Sequence, residues 1–162
     1  MRTLILSTAI GLATMGAAWA QAMTAQDFVN QAASGGLFEV QSSELALQRS
    51  QNADVQQFAN QMITDHTANN QELMAAAQAE GLTVPAQISS PHAELMQTLQ
   101  GAEGDAFDTS YIQAQTTAHE TAVTLYQTYA QGGDNQTLVA YAQKSLPALQ
   151  QHLEHAQGMA KN

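Results

Sequence analysis

Between residues 52 and 81 the chain reads NADVQQFANQMITDHTANNQELMAAAQAEG. Val55, Phe58, Met62, His66, Asn70, Leu73 and Ala77 recur every three or four residues, the spacing of one helix face rather than the alternation of a strand. Asn52 or Asp54 supplies the opening cap and Gly81 the stop. The stretch therefore predicts one long helix, and the ionisable residue inside its apolar stripe is what needs a reason.

The same spacing extends in both directions. Upstream, Thr24 caps a helix running to about Ser50, with Asp27 in its first turn and Phe28, Ala32, Gly35/Gly36, Glu39, Ser43 and Ala46 as its stripe. Downstream, residues 82–104 hold Pro85, Pro91 and two glycines, and a short helix is expected after Ser90-Pro91. A third long helix, about Asp105 to Gln131, carries Phe107, Tyr111, Ile112, Ala118, His119, Ala122, Tyr126 and Tyr129. Gly132-Gly133 closes it, and a fourth follows from Asp134 to about Ala160. Its stripe is Leu138, Tyr141, Ala142, Ser145, Leu149, His152, Ala156 and Met159, with a kink expected at Pro147. Ala and Gln, abundant throughout, favour helix. The expectation is an all-α four-helix bundle with a short extra helix in the connector between helices 2 and 3; a connector running back along the bundle makes it ferritin-like.

At about 100° per residue, positions 11 apart or 7 apart nearly superimpose on a helix. Glu39 lies 11 after Phe28, His66 lies 11 after Val55, His119 sits 7 from both Ile112 and Tyr126, and His152 lies 11 after Tyr141. Each helix thus carries one ionisable group in its apolar stripe near mid-length, so the four could meet at one level. Three imidazoles and a carboxylate in an apolar interior are costly unless hydrogen-bonded or bound to a cation. Glu39, His66, His119 and His152 are the candidate metal ligands; imidazole and carboxylate donors without thiolate suit Zn, Fe, Mn or Cu. Separate inter-helix hydrogen bonds are the competing account. His155 is a spare candidate, Asp65 and Glu120 could orient neighbouring ligands, and His92 is expected at the surface. Gly35-Gly36 inside a helix calls for a close helix approach or a kink.

Other function classes find little footing. Fourteen acidic residues against four basic ones give a formal net charge of -10, which repels nucleic acid and anionic lipid. There is no Cys, hence no disulfide, thiolate site or Cys nucleophile. No phosphate loop, dinucleotide fingerprint or Gly-x-Ser-x-Gly elbow is present, and no catalytic residues are assigned. Residues 1–20 read as a signal peptide: Arg2, a mostly apolar stretch from Leu4 to Gly16, and Ala18-Trp19-Ala20 as the cleavage motif. Residues 21–162 would then form one domain in the periplasm or outside the cell, with no integral membrane segment. The rival to metal binding is a metal-free envelope interaction or stress-protection module, meeting an envelope protein partner or a second copy through its acidic, Gln-rich surface.

Several of these residues fall in motifs: Phe28-Val29 through Gly35-Gly36-Leu37-Phe38-Glu39-Val40, Phe58-Ala59 to Met62, Asp65-His66, Phe107-Asp108-x-x-Tyr111, His119-Glu120, and Leu146-Pro147-x-Leu149-x-x-His152-Leu153. Together they resemble the secreted bacterial ferritin-like family catalogued as domain of unknown function 4142. The resemblance implies a ferritin-like bundle in the cell envelope and no settled activity. Ala118 stands where the family pattern leads one to expect an Asp. Di-iron bundles use Glu-x-x-His pairs; here Ile63, Thr116 and Leu149 precede the three histidines at that spacing, so ferroxidase chemistry is not expected.

Overall fold

The computed structural model describes residues 23–161, which form five α-helices and no strand. They are α1 (Ala25–Arg49), α2 (Ala53–Ala79), α3 (Ser90–Gly101), α4 (Gly104–Gly132) and α5 (Gln136–Met159). The leader read in residues 1–20 lies outside the described residues.

Short polar side chains set the helix starts. Thr24 Oγ1 accepts the Asp27 N–H at 3.2 Å, and Asn52 Oδ1 accepts those of Asp54 at 2.9 Å and Val55 at 3.4 Å. The last helix begins slightly later than expected: Asn135 Oδ1 caps it through the Leu138 N–H at 3.0 Å, while Asp134 accepts the Tyr129 hydroxyl at 3.0 Å. Gly81 ends the turn after α2 at φ 70°, so that the Leu82 N–H returns to the Ala77 carbonyl at 2.9 Å. A residue with a Cβ resists that conformation.

The apolar stripes sort into two clusters. One contains Phe28, Leu73, Tyr126, Tyr129, Leu138 and Tyr141; the other contains Phe38, Phe58, Met62, Phe107, Tyr111 and Ala156. Along α1 and α5 the first cluster comes first, and along α2 and α4 it comes last. α1 and α5 therefore run opposite to α2 and α4. The helices pack α1 on α2, α4 on α5, α1 on α4 and α2 on α5, so every adjacent pair of long helices is antiparallel. Because α2 and α4 are parallel, the chain between them must travel the length of the bundle. That long crossover is the ferritin-like arrangement, and it carries α3 against α1 and α4.

α3 is tied at both ends. At its start Ser34 Oγ, on α1, accepts the Ser89 N–H at 2.7 Å and lies 2.7 Å from His92 Nδ1, whose ring stacks on Phe38 with centroids 5.3 Å apart. At its end the Arg49 guanidinium donates to the carbonyls of Gln100 at 2.8 Å and Ala102 at 2.7 Å, satisfying groups that a helix C-terminus leaves unpaired. His92 is consequently half-buried rather than a surface residue, because Ser34 and Phe38 hold it against α1.

Gly36 has a packing reason. A Cβ there would stand 1.8 Å from Asn70 Oδ1, so the glycine lets the α2 side chain lie against the α1 backbone. α1 continues through both glycines, and α5 is one helix through Pro147.

Candidate metal centre

The two apolar clusters meet at a polar layer. His66 on α2, His119 on α4 and His152 on α5 are each at most 4 % exposed, and one ring nitrogen from each lies within 4.8 Å of the others. Their ring centroids form a triangle with all three sides 5.4 Å. His66 Nε2 and His119 Nε2 are 3.4 Å apart. Two imidazole nitrogens bound to one ion at about 2.0–2.1 Å stand roughly 3.3–3.6 Å from each other for tetrahedral to trigonal angles. That pair already has a chelating spacing.

Outer partners fix which nitrogen two of the rings offer. His119 Nδ1 donates to the Gln115 carbonyl one turn back, at 2.9 Å, which leaves the Nε2 lone pair toward His66. His152 Nε2 donates to Asp65 Oδ2 at 2.9 Å, which leaves Nδ1 buried with no hydrogen-bond partner. A nitrogen lone pair shielded from water and unpaired is costly unless something binds it. Hydrogen-bonding the far nitrogen of a histidine is how proteins hold an imidazole for a metal. The donor set thus fits a metal ion.

Glu39 is 3 % exposed and touches the cluster from behind: its Oε1 is 3.5 Å from His119 Nδ1, the nitrogen turned toward Gln115 O. Of the four candidate ligands the structure brings the three histidines together and sets the carboxylate beside one of them. Burial pushes Glu39 up to about 8, against a smaller opposing effect of the nearby Gln115 side chain. Burial also pulls His119 down to about 4 and His66 well below its ordinary value; His119 and His152 next to His66 add to that depression. His152 is lowered by burial too, with Asp65 opposing. The Glu39–His119 contact is therefore between neutral groups near neutral pH, not an ion pair.

The remaining candidates separate cleanly. His155 is exposed and packs edge-on against Phe58, with centroids 4.9 Å apart, away from the triangle. Glu120 is exposed and accepts from Gln157. Asp65 orients a histidine, but the one on α5 rather than its sequence neighbour His66, since it is turned about 100° from His66 on α2. Gln115, fully buried and fixing His119 through its carbonyl, went unmarked in the sequence. The only signal for it was its place four residues before an inward histidine.

Two cavities reach the layer. One of about 530 Å³ opens between α1, α3 and α4 and touches Glu39 and His66. Another of about 290 Å³ lies on the α2–α5 side, bordered by Asp65, Glu72, Lys144 and His152. His66, Asn69 and Leu149 line both.

Fold and site together define a ferritin-like helical bundle with a buried three-histidine cluster at mid-height. The chain belongs to the family described as Domain of unknown function (DUF4142), whose model matches residues 12–159. No curated protein matches it. Among solved structures it is similar to "CopM in the Cu(II)-bound form", at 17 % identity and TM-score 0.70 over 85 % of this chain and 95 % of that one. It is likewise similar to "CopM in the Cu(I)-bound form", at 15 % identity and TM-score 0.71 over 86 % and 96 %. A DUF305 fragment from Deinococcus radiodurans aligns at 17 % identity and TM-score 0.67 over 86 % and 97 %. At such identities the likeness is one of fold. Among the described residues no helix is long and apolar enough to cross a membrane.

Proposed function

We propose that this protein binds one transition-metal ion through His66, His119 and His152, with copper the preferred metal and Glu39 as the carboxylate that supports the set from beside His119. The observation that carries the reading is the buried, partnerless Nδ1 of His152 beside two further imidazole nitrogens. Three neutral imidazoles suit copper and zinc alike; the copper-bound forms of CopM, which share the fold, favour copper. Asp65 and the Gln115 carbonyl would hold two rings in register, and Glu39 would offset the charge the ion brings into the apolar interior. With the leader of residues 1–20 removed, the mature bundle would work in the periplasm or outside the cell.

The test is metal content. Protein expressed with its leader and purified without chelator or affinity tag should hold about one equivalent of metal by plasma mass spectrometry. A variant with His66, His119 and His152 all replaced by Ala should hold none. At a free ion concentration 100 times the dissociation constant, bound metal should stabilise the fold by about 2.7 kcal/mol. Absence of metal in both proteins, with melting unaffected by added Cu(II) or Zn(II), would refute the reading and turn attention to the acidic surface as a protein-binding face.

A further inference from the structure

We propose that the three-histidine centre keeps one coordination position for a small exogenous molecule entering through the 530 Å³ cavity. The molecule offers one nitrogen or oxygen donor to the metal and one N–H or O–H to Glu39. This rests on the metal reading above.

The ligand count comes first. Structural metal sites of this kind are closed by four protein donors, whereas sites with three leave a place for water or substrate. Among the described residues no fourth His, Asp or Glu joins the cluster. Glu39, the buried acid beside it, directs Oε1 toward His119 Nδ1 and leaves Oε2 buried without a partner. Glu39 and His66 both line the cavity, so a molecule seated there meets one of the three imidazoles and the Glu39 carboxyl together. Its volume falls within the usual range of small-molecule sites. Its walls include Ala32, Leu95 and Leu125, which favour a compact, largely apolar guest over a highly charged one. α3 forms one wall, and the ties at Ser34 and Arg49 make the cavity part of the fold.

The smaller cavity on the other side differs in character. Asp65, already bonded to His152, and the Glu72–Lys144 pair at 2.8 Å border it. Charged walls of that kind suit the passage of a cation rather than an apolar guest.

Imidazole is the probe, because it can coordinate through one nitrogen and donate from the other; N-methylimidazole lacks the donor. Full-length mature protein is loaded with Cu(II), its copper content measured, and each probe titrated while visible absorption and electron paramagnetic resonance are recorded. A saturable spectral change at one imidazole per copper, with copper retained, is expected. N-methylimidazole should bind at least tenfold more weakly, and Glu39→Leu should abolish that difference. Gly35→Leu fills the cavity from α1, where a Cβ meets nothing closer than 3.8 Å, and Leu95→Trp fills it from α3. Each should weaken imidazole at least tenfold without loss of copper, and either one that folds is sufficient. An unchanged spectrum, copper extraction by the probe, or undiminished binding in a folded cavity-filled variant would overturn the proposal. A wild-type protein without copper fails at the loading step, which identifies the metal reading as the fault.

Discussion

Phe28, Tyr126, Tyr129 and Tyr141 at one end of the bundle are as shielded from water as His66, His119 and His152 midway along it, yet the two groups are held in different ways. At the aromatic end Phe28 stacks on Tyr129 with centroids 4.2 Å apart, Tyr126 and Tyr141 join hydroxyls at 3.0 Å, and Tyr129 donates to Asp134. Those polar tips are satisfied within the protein. In the middle layer Glu39 Oε2, Gln115 Oε1 and His152 Nδ1 have no hydrogen-bond partner, and the three imidazoles face one another. Equal burial thus conceals opposite conditions: one region has its polar groups paired, while the other leaves three polar atoms without a partner.

The sharpest way to break that contrast is to damage the complete end. Phe28→Ala removes the stacked ring and should cost about 3–5 kcal/mol in urea unfolding while leaving metal content unchanged. A parallel loss of metal would show that the middle layer depends on the aromatic end. Next in size is Asp65→Ala, which frees the His152 ring. It should weaken metal binding by about 10- to 100-fold in a competition titration, with little effect on the metal-free fold; unaltered affinity would remove Asp65 from the site.

A third test, on the metal-free protein, is its acid–base balance. The histidines are held neutral by burial, His119 at about 4 against 6.5 for an unperturbed imidazole, so below 6.5 the unfolded chain takes up protons that the native state refuses. Stability should therefore fall as pH drops from 6.5 toward 4, at up to about 1.4 kcal/mol per pH unit for each imidazole. Glu39 acts in the other direction: its folded value is about 8 and its ordinary one 4.5, so its contribution is full below 4.5 and lost as pH rises to about 8. Between 4.5 and 6.5 three imidazoles oppose one carboxyl, and the optimum should sit near 6.5. Unfolding at pH 5, 6.5 and 8 checks this. Glu39→Gln should flatten the alkaline side and steepen the fall from 6.5 to 4.5, and a flat profile in the wild type would mean that the layer is hydrated rather than dry.

Much of this could be read from residue order. Thr24 and Asn52 were legible as caps because a cap is local chemistry, and the stripes on all four long helices were legible because burial on one helix face repeats every three or four residues. The same periodicity placed Glu39, His66, His119 and His152 inward, and all four are buried. His92 was misread because its burial comes from Ser34 and Phe38, more than fifty residues away in the chain. The glycine pair could be marked as unusual, but the Asn70 side chain that needs Gly36 lies on another helix.

By itself, then, the sequence determined the helices, their ends, their inward faces and the height of the ionisable residues, since each of these follows from interactions within a turn or two of one helix. Tertiary structure decided the rest. It chose which nitrogen His119 and His152 offer, turned Asp65 to His152 instead of its neighbour, set Glu39 behind His119, and left a cavity under α3. The physical reason is that helix period fixes the direction of a side chain about its own axis, whereas contact across a bundle depends on how far each helix is rotated and shifted against the next.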